Sequence, residues 1–308
     1  MPHPPMAYCN EEWIPLDRMA ISVDDLGFVL GATVTERLRT FHGRLFRLHD
    51  HWARLARSLD IVGGRSWVDL DQLALAAERL VEYHRAGRTD VADWMLIVLL
   101  TPGVPGGRPT VCMTVEPLPF HQWADLYADG QPIVTGSPRQ VPSNCWPVEL
   151  KCRSRMHYYL ADQEARRKNR RARALVLDQD GFVAEATTAN VLLVRNGQIA
   201  SPLRSRILPG VSLGIVQEIA EDLGIPFVER NIDPSELAQA DEMLLCSTSP
   251  CIVPVSDVDG CEVGRCPGPV FEQLIGAWSE RVGVDIIEQA IVEQARRTAG
   301  GSRELRLR

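Results

Sequence analysis

LKCRSRMHYYLADQEARRKNRRARALVLDQDGFVAEATTANVLLV, residues 150–194, has as its second residue the rarest residue type of this chain. The sequence holds two lysines, Lys151 and Lys168, against 31 arginines. Chemistry that needs a primary amine therefore has two candidates. Lys168 lies in the basic run Arg166, Arg167, Lys168, Arg170, Arg171, which reads as a solvated helix end and loop. Lys151 lies between an apolar stretch and a helix expected over about 157–167. On composition alone two readings stand: an arginine-rich bias that leaves Lys151 incidental, or a lysine kept for its amine. A strand meander follows the helix: ALVLD, the turn Gln179-Asp180-Gly181, FVAEA, NVLLV, the turn Asn196-Gly197, and QIA. Asp-Gly and Asn-Gly pairs between apolar runs are hairpin signals, because both turn residues tolerate positive φ.

Before this stretch, short strand-like segments run to about Leu38, and 41–47 read as a hairpin around His42-Gly43. Trp52, Leu55, Ala56 and Leu59 recur at helical spacing until Gly63-Gly64, and 69–86 form a second amphipathic helix. Strands are expected at 93–101 and 109–116, and the proline-rich 117–149 reads as a crossing with one strand at 131–135. Beyond it, ILPGVSLGIVQEIAEDLG predicts a helix with Val216, Ile219, Ala220 and Leu223 on its core face, ended by Gly224. PFVER and EMLLCSTS read as strands, and 268–298 as a C-terminal helix. The organisation expected is α+β, with a smaller N-terminal domain at 1–128, a larger domain at 129–290, and a frayed basic tail at 291–308.

Composition bounds the function. With 308 residues, 45% hydrophobic and 24% charged, the chain has the balance of a soluble globular protein. No apolar run approaches the roughly 20 residues that cross a bilayer. The N-terminus MPHPPMAYCNEEW has neither a basic n-region nor an apolar h-region, so the expected location is cytoplasmic. A net charge of −7 argues against general affinity for nucleic acid or anionic membrane. Eight scattered cysteines without a CxxC pair imply neither a metal site nor a disulfide framework.

The 150–194 stretch resembles the class IV aminotransferase family, the fold-type IV enzymes dependent on pyridoxal 5′-phosphate (PLP). The matching residues are Lys151, Ala161, Ala165, Ala174 to Asp178, Asp180-Gly181, Val183, Glu185 and Asn190. Four further blocks match in order: DDLGFVLGATVTERLR (24–39), FRLHDHWARL (46–55), ILPGVSLGIV (207–216) and LLCSTSPCIVPV (244–255). The resemblance spans about residues 8–285. It implies the two-domain fold of the D-amino acid aminotransferase type, with the cofactor in the interdomain cleft and a homodimer as the working form.

The same resemblance assigns roles. Lys151 carries PLP as a Schiff base and moves the proton between Cα and C4′. Glu185 stands beside the pyridine nitrogen and keeps it protonated. Arg54, with His51 three residues earlier on the same helix face, contacts the phosphate. Val211 and Ser212 offer N–H groups and a hydroxyl at a helix start, where anions bind. Leu208 packs on the ring, and Asn190, Ser247 and Thr248 complete the cofactor contacts. For the substrate, Thr35, Arg39 and Arg108 sit in the block and turn where the family places its pocket. Arg139, Arg153 and Arg155 are further cations for a substrate carboxylate.

Three departures bear on specificity. Ala186 follows Glu185 where many members have glycine, Met156 stands where many branched-chain enzymes have the tyrosine that contacts O3′, and Thr35 replaces a pocket aromatic. The expected activity is transamination between a branched-chain-like amino acid and 2-oxoglutarate. Its competitors are 4-amino-4-deoxychorismate lyase, which eliminates pyruvate to leave 4-aminobenzoate, and a PLP-binding homologue without activity.

Overall fold

The computed structural model describes residues 4–304, with side chains as far as residue 298. The chain divides into two units that interleave along the sequence: Met1–Leu118 with Glu149–Arg155, and Pro119–Val148 with Met156–Arg308. Among the described residues no helix is long and apolar enough to cross a membrane.

The first unit comprises β1 (Met6–Cys9), β2 (Glu12–Pro15), β3 (Val34–Phe41), β4 (Arg44–Leu45), α1 (Leu48–Ile61), α2 (Leu70–Gly87), β5 (Trp94–Thr101) and β6 (Thr110–Pro117). Its sheet runs β2-β1-β6-β5-β3-β4, with every neighbouring pair antiparallel. The β3–β4 turn has His42 and Gly43 both at positive φ, 52° and 72°, the geometry that matches strand twist in a two-residue hairpin. Side chains alternate across a strand, so Val34, Glu36, Leu38 and Thr40 share one face of β3. Val34 and Leu38 join a core with Trp52, Leu55 and Leu59 of α1 and Leu73, Ala77 and Leu80 of α2. The Trp52 indole donates to the Leu70 carbonyl at 3.0 Å, fixing the two helices' spacing.

Segment 149–155 completes this unit. Leu150 packs against the same core. Thr35 N–H donates to the Lys151 carbonyl at 2.9 Å, Arg153 N–H to Thr33 Oγ1 at 2.8 Å, and Ser154 Oγ to the Gly31 carbonyl at 2.5 Å. The segment thus lies antiparallel along the outer edge of β3. The sequence boundary at 128/129 assigns Lys151 to the second domain; its contacts assign it to the first. Periodicity reports local pattern and carries no information about a return after thirty residues.

The second unit holds β7 (Gln131–Thr135), α3 (Met156–Lys168), β8 (Arg173–Leu177), β9 (Val183–Ala186), β10 (Ala189–Arg195), β11 (Gln198–Ser201), α4 (Val211–Asp222), β12 (Phe227–Glu229), β13 (Glu242–Ser247), β14 (Cys251–Val258), β15 (Cys261–Glu262), α5 (Pro269–Val282) and α6 (Ile286–Glu304). Its ladder runs β10-β13-β14-β7-β8-β9, and β9 pairs back to β10, so the sheet closes on itself. Closure removes free strand edges; β11 and β12 extend from β10, and β15 from β14. The closing rung pairs Asn190 with Glu185. The sequence expects one helix over 268–298 and a frayed tail from 291. Instead Gly283, at φ 67°, ends α5, and α6 continues to Glu304 with Ile286 and Ala290 buried. Residues 305–308 of the expected tail lie outside the described residues.

Asp93 is buried where β3, β4 and β5 meet, accepting hydrogen bonds from Thr40 Oγ1 at 2.5 Å and Gly43 N–H at 3.1 Å. Asp93→Ala leaves both donors without that acceptor, and we expect it to lower stability by about 1–3 kcal/mol. The shift in denaturant midpoint measures this; an unchanged midpoint would remove the network from the fold's determinants.

Candidate functional site

The first unit places a carboxylate on the core-facing side of β3. Glu36 is fully buried between the apolar positions of Val34 and Leu38. A buried charge requires a partner, and α1 supplies two. Arg54 Nε donates to Glu36 Oε2 at 3.0 Å and its Nη2 to Oε1 at 2.7 Å, while His51 Nδ1 lies 3.1 Å from Oε1. Burial works to raise the Glu36 pKa, but Arg54 and His51 hold it well below the usual carboxylate range. Burial pushes the His51 imidazole below its ordinary value, outweighing Glu36. Arg54 and His51, three residues apart, reach one carboxylate because i and i+3 share a helix face.

Lys151 belongs to this group. Its N–H donates to Ser58 Oγ on α1 at 3.2 Å, and its carbonyl accepts from Thr35 on β3. The residue keeps part of its surface accessible, yet its amine lies among dense protein neighbours. That burial and the positive charge of Arg54 push its pKa from 10.5 down to about 7, with Arg155 and Arg37 adding to the effect and Glu36 opposing it. Desolvation and like charges both disfavour an ammonium. About half of the amine is thus neutral near pH 7, the form that attacks a carbonyl carbon.

The other first-unit positions fall differently. Thr35 is buried, and its hydroxyl donates to the Val98 carbonyl at 2.7 Å. Arg39 is buried with its guanidinium 3.8 Å from the centre of the Phe41 ring and a bond to the Thr40 carbonyl. Arg108 is exposed in the β5–β6 loop.

The second unit gathers Glu185, Asn190 and the 208–212 loop. Glu185 is buried, and Tyr158 Oη donates to its Oε1 at 2.5 Å; Gln140 Nε2 donates to the same oxygen. His157 Nε2 lies 3.0 Å from Gln140 Oε1, extending the network along α3. Asn190 Nδ2 donates to the Leu208 carbonyl at 2.9 Å. A Cβ on Gly210 would lie 2.1 Å from Asn190 Oδ1, so only glycine lets the loop close on this side chain. The loop leads into α4, whose N-cap Gly210 has no capping side chain and whose first turn contains half-buried Val211 and buried Ser212. N–H groups of such a turn face an anion favourably. Ser247 and Thr248 are half-buried where β13 turns into β14.

One unit therefore brings together Lys151, Arg54 and His51; the other brings together Glu185, Asn190, Leu208 and Ser212. The sequence reading assigns no role to Glu36, Tyr158 or Gln140. Glu36 had a signal: an acidic residue at an inward position of an otherwise apolar alternation. Tyr158 and Gln140 had none, since 18 residues separate two donors to one oxygen. Among the described residues no group of three or more His, Cys, Asp or Glu is placed to hold a metal ion. Each unit's donor set fits part of PLP: in the first, a depressed amine and a buried arginine; in the second, a buried carboxylate held in one direction and an uncapped helix start.

The family model for amino-transferase class IV matches residues 33–258. The chain is 27% identical to a D-alanine aminotransferase of Bacillus licheniformis over 269 residues, 83% of this chain and 89% of that one. It shares the fold of the branched-chain amino acid aminotransferase of Escherichia coli, with TM-score 0.83, 24% identity, and 90% and 94% of the two chains covered. It is also similar to the branched-chain amino acid aminotransferase of Thermobaculum terrenum in its PLP form, with TM-score 0.80, 25% identity, and 92% and 95% covered.

Two expectations follow from the first unit's geometry. Covalent labelling of Lys151 by an amine-directed reagent, read on its peptide by mass spectrometry, should rise with pH to a midpoint near 7; a midpoint near 10.5 would show an ordinary amine. Glu36→Ala takes the paired carboxylate from a buried guanidinium and should cost about 3–5 kcal/mol in chemical denaturation. A cost below about 1 kcal/mol would mean that Arg54 finds another partner.

Proposed function

The chain belongs to the class IV aminotransferase family, and from that premise we propose that it moves an amino group from a branched-chain-like amino acid to 2-oxoglutarate, with PLP carried on Lys151. The observation that carries this reading is the Lys151 amine, pushed down to about 7 beside the Glu36–Arg54 pair in a chain with only one other lysine. PLP, when bound, would supply an electron sink for the charge left at the substrate's Cα.

This chain's residues do the rest. Lys151 Nζ, about half neutral near pH 7, would take the proton from the substrate's Cα and pass it to C4′ of the cofactor. Glu185 holds a proton at the pyridine nitrogen, and its Oε1 is kept in direction by Tyr158 and Gln140. Arg54, oriented by Glu36, contacts the phosphate, together with Ser212, the N–H groups at Val211 and Ser212, and Ser247 and Thr248. Asn190 keeps the 208–210 loop closed so that Leu208 packs on the ring. Likeness to two branched-chain enzymes supports the donor class; likeness to a D-alanine aminotransferase makes D-alanine the donor to compare. A homodimer is part of the proposal, supported by the exposed apolar side chains Val23, Phe28, Val29 and Leu30, with Phe28 73% and Leu30 71% exposed.

The test is the visible spectrum of the purified protein with PLP, before and after adding L-leucine, L-isoleucine or D-alanine. We expect a lysine-bound PLP band that the branched-chain donors convert to the pyridoxamine form. A band that no donor converts, with pyruvate and 4-aminobenzoate released from 4-amino-4-deoxychorismate, would replace transamination with the lyase reaction. Lys151→Ala should lose both the band and turnover while retaining the far-ultraviolet circular dichroism of the fold. Arg54→Ala should weaken PLP binding about tenfold, the worth of a charge-assisted hydrogen bond; unchanged affinity would remove it from the phosphate site.

A further inference from the structure

Two thiols far apart in sequence meet on the first unit's sheet. Cys9 Sγ lies 3.3 Å from Cys112 Sγ, and 103 positions separate the two residues along the chain. Cys9 ends β1, and the turn after it has Asn10 and Glu11 at φ 49° and 71°, the positive values that a two-residue hairpin asks for. Cys112 stands in β6, and the antiparallel register places it directly opposite Cys9. Directly opposite residues project from the same face of a sheet. Tyr8 and Met113, the preceding rung, project to the other face and join the core beneath the helices.

The ladder around this rung decides what the sulfurs can do. Asn10 N–H donates to the Val111 carbonyl at 2.8 Å, so the next rung is hydrogen-bonded. Hydrogen-bonded and non-hydrogen-bonded rungs alternate, which makes Cys9 and Cys112 a non-hydrogen-bonded pair with Cα atoms roughly 4.5 Å apart. That spacing lies inside the roughly 4.4–6.8 Å over which a disulfide forms. Cys246 and Cys251 show that neighbouring strands are not enough. They lie on β13 and β14, but Cys246 faces Ile252 and Cys251 faces Ser247, so their side chains project to opposite faces. The Cys9–Cys112 pair also has one accessible member, since Cys9 is half-buried while Cys112 is buried.

We propose that Cys9 and Cys112 are the site of a reversible disulfide that ties the N-terminal hairpin to β6 when the surroundings turn oxidising. Glutathione disulfide is the oxidant. The Cys9 thiolate attacks one of its sulfurs, the S–S bond breaks, and one glutathione leaves with the proton that Cys9 released. Cys112 Sγ then attacks Cys9 Sγ, and the second glutathione leaves with the proton that Cys112 gives up. Two protein thiols are oxidised by two electrons, and one glutathione disulfide is reduced to two thiols. Burial, with Cys9 beside it, pushes the Cys112 thiol above its ordinary value, so the second step is the slower one and Cys9 carries glutathione in the meantime. A half-buried bond stays within reach of a reductant, which makes closure reversible. The site stands apart from Lys151: β5 lies between β6 and β3 in the sheet.

The purified full-length protein is equilibrated with glutathione buffers from fully reduced to fully oxidised, quenched with acid, alkylated, digested and read by mass spectrometry. We expect a linked pair of peptides carrying Cys9 and Cys112, which dithiothreitol separates. In Cys112→Ser the reaction should stop at glutathione on Cys9. In Cys9→Ser the buried Cys112 should stay unmodified. The bond closes a loop of roughly 100 residues and so restricts the unfolded chain; the oxidised protein should therefore unfold at a higher urea concentration than the reduced one. Absence of the linked peptides at every buffer ratio, or an unsubstituted protein that stops at glutathione on Cys9, overturns the proposal without recourse to either variant. So does a link that forms only in urea, and so does a urea midpoint that oxidation leaves unmoved.

Discussion

The bidentate pair between Glu36 and Arg54 governs the geometry of the first unit. Glu36 occupies a position that alternation gives to a core side chain, so its charge must be met inside the protein. Such a pair adds little net stability, because desolvating two ions cancels most of their attraction, but losing one partner is expensive. It therefore acts as a constraint. α1 can meet β3 in few other rotations without stranding a charge, and the rotation it takes also presents Ser58 to the Lys151 backbone. The half-neutralised field of Arg54, with the cations nearby, then acts on the lysine amine.

The second unit uses a different device. Its carboxylate lies on the rung that closes the sheet, and two neutral donors share one of its oxygens. Neutral donors orient a carboxylate without cancelling its charge, whereas the Arg54 guanidinium cancels that of Glu36. The two buried acids differ accordingly: a guanidinium meets Glu36, while an amide and a phenol donate to Glu185 Oε1. Thr188, in the turn between the two closing strands, has φ 66°, unusual for a β-branched residue and tolerated where surrounding pairing over-determines the backbone.

Much of this was legible in the chain. Helices with clean apolar periodicity, such as α1 and α2, stand where the spacing puts them, and the His42-Gly43 and Asn196-Gly197 turns have the positive φ values that their residues tolerate. Features set by contacts between distant residues were not legible. The return of 149–155 to β3, the pairing of β9 with β10 as ring closure, and the convergence of Gln140 and Tyr158 on Glu185 leave no local periodicity. β14 was obscured by Pro254, a residue that usually argues against an internal strand. The Leu208 and Asn190 positions were legible only as a motif; the reason for the motif, a glycine that no side chain can replace, is spatial.

The interleaving of the two units has a consequence for how the protein comes into being. Chains emerge from the ribosome N-terminus first, and domains tend to fold as they emerge. Here the first unit cannot be finished when residue 118 appears, because the segment that borders β3 and carries Lys151 follows a thirty-residue excursion containing β7. Until that segment arrives, the outer edge of β3 has an open backbone group at Thr35, and Leu150 is missing from the core. Lys151 is therefore in the last piece set into the unit that positions it, so that unit is complete only once about half of the chain has been made.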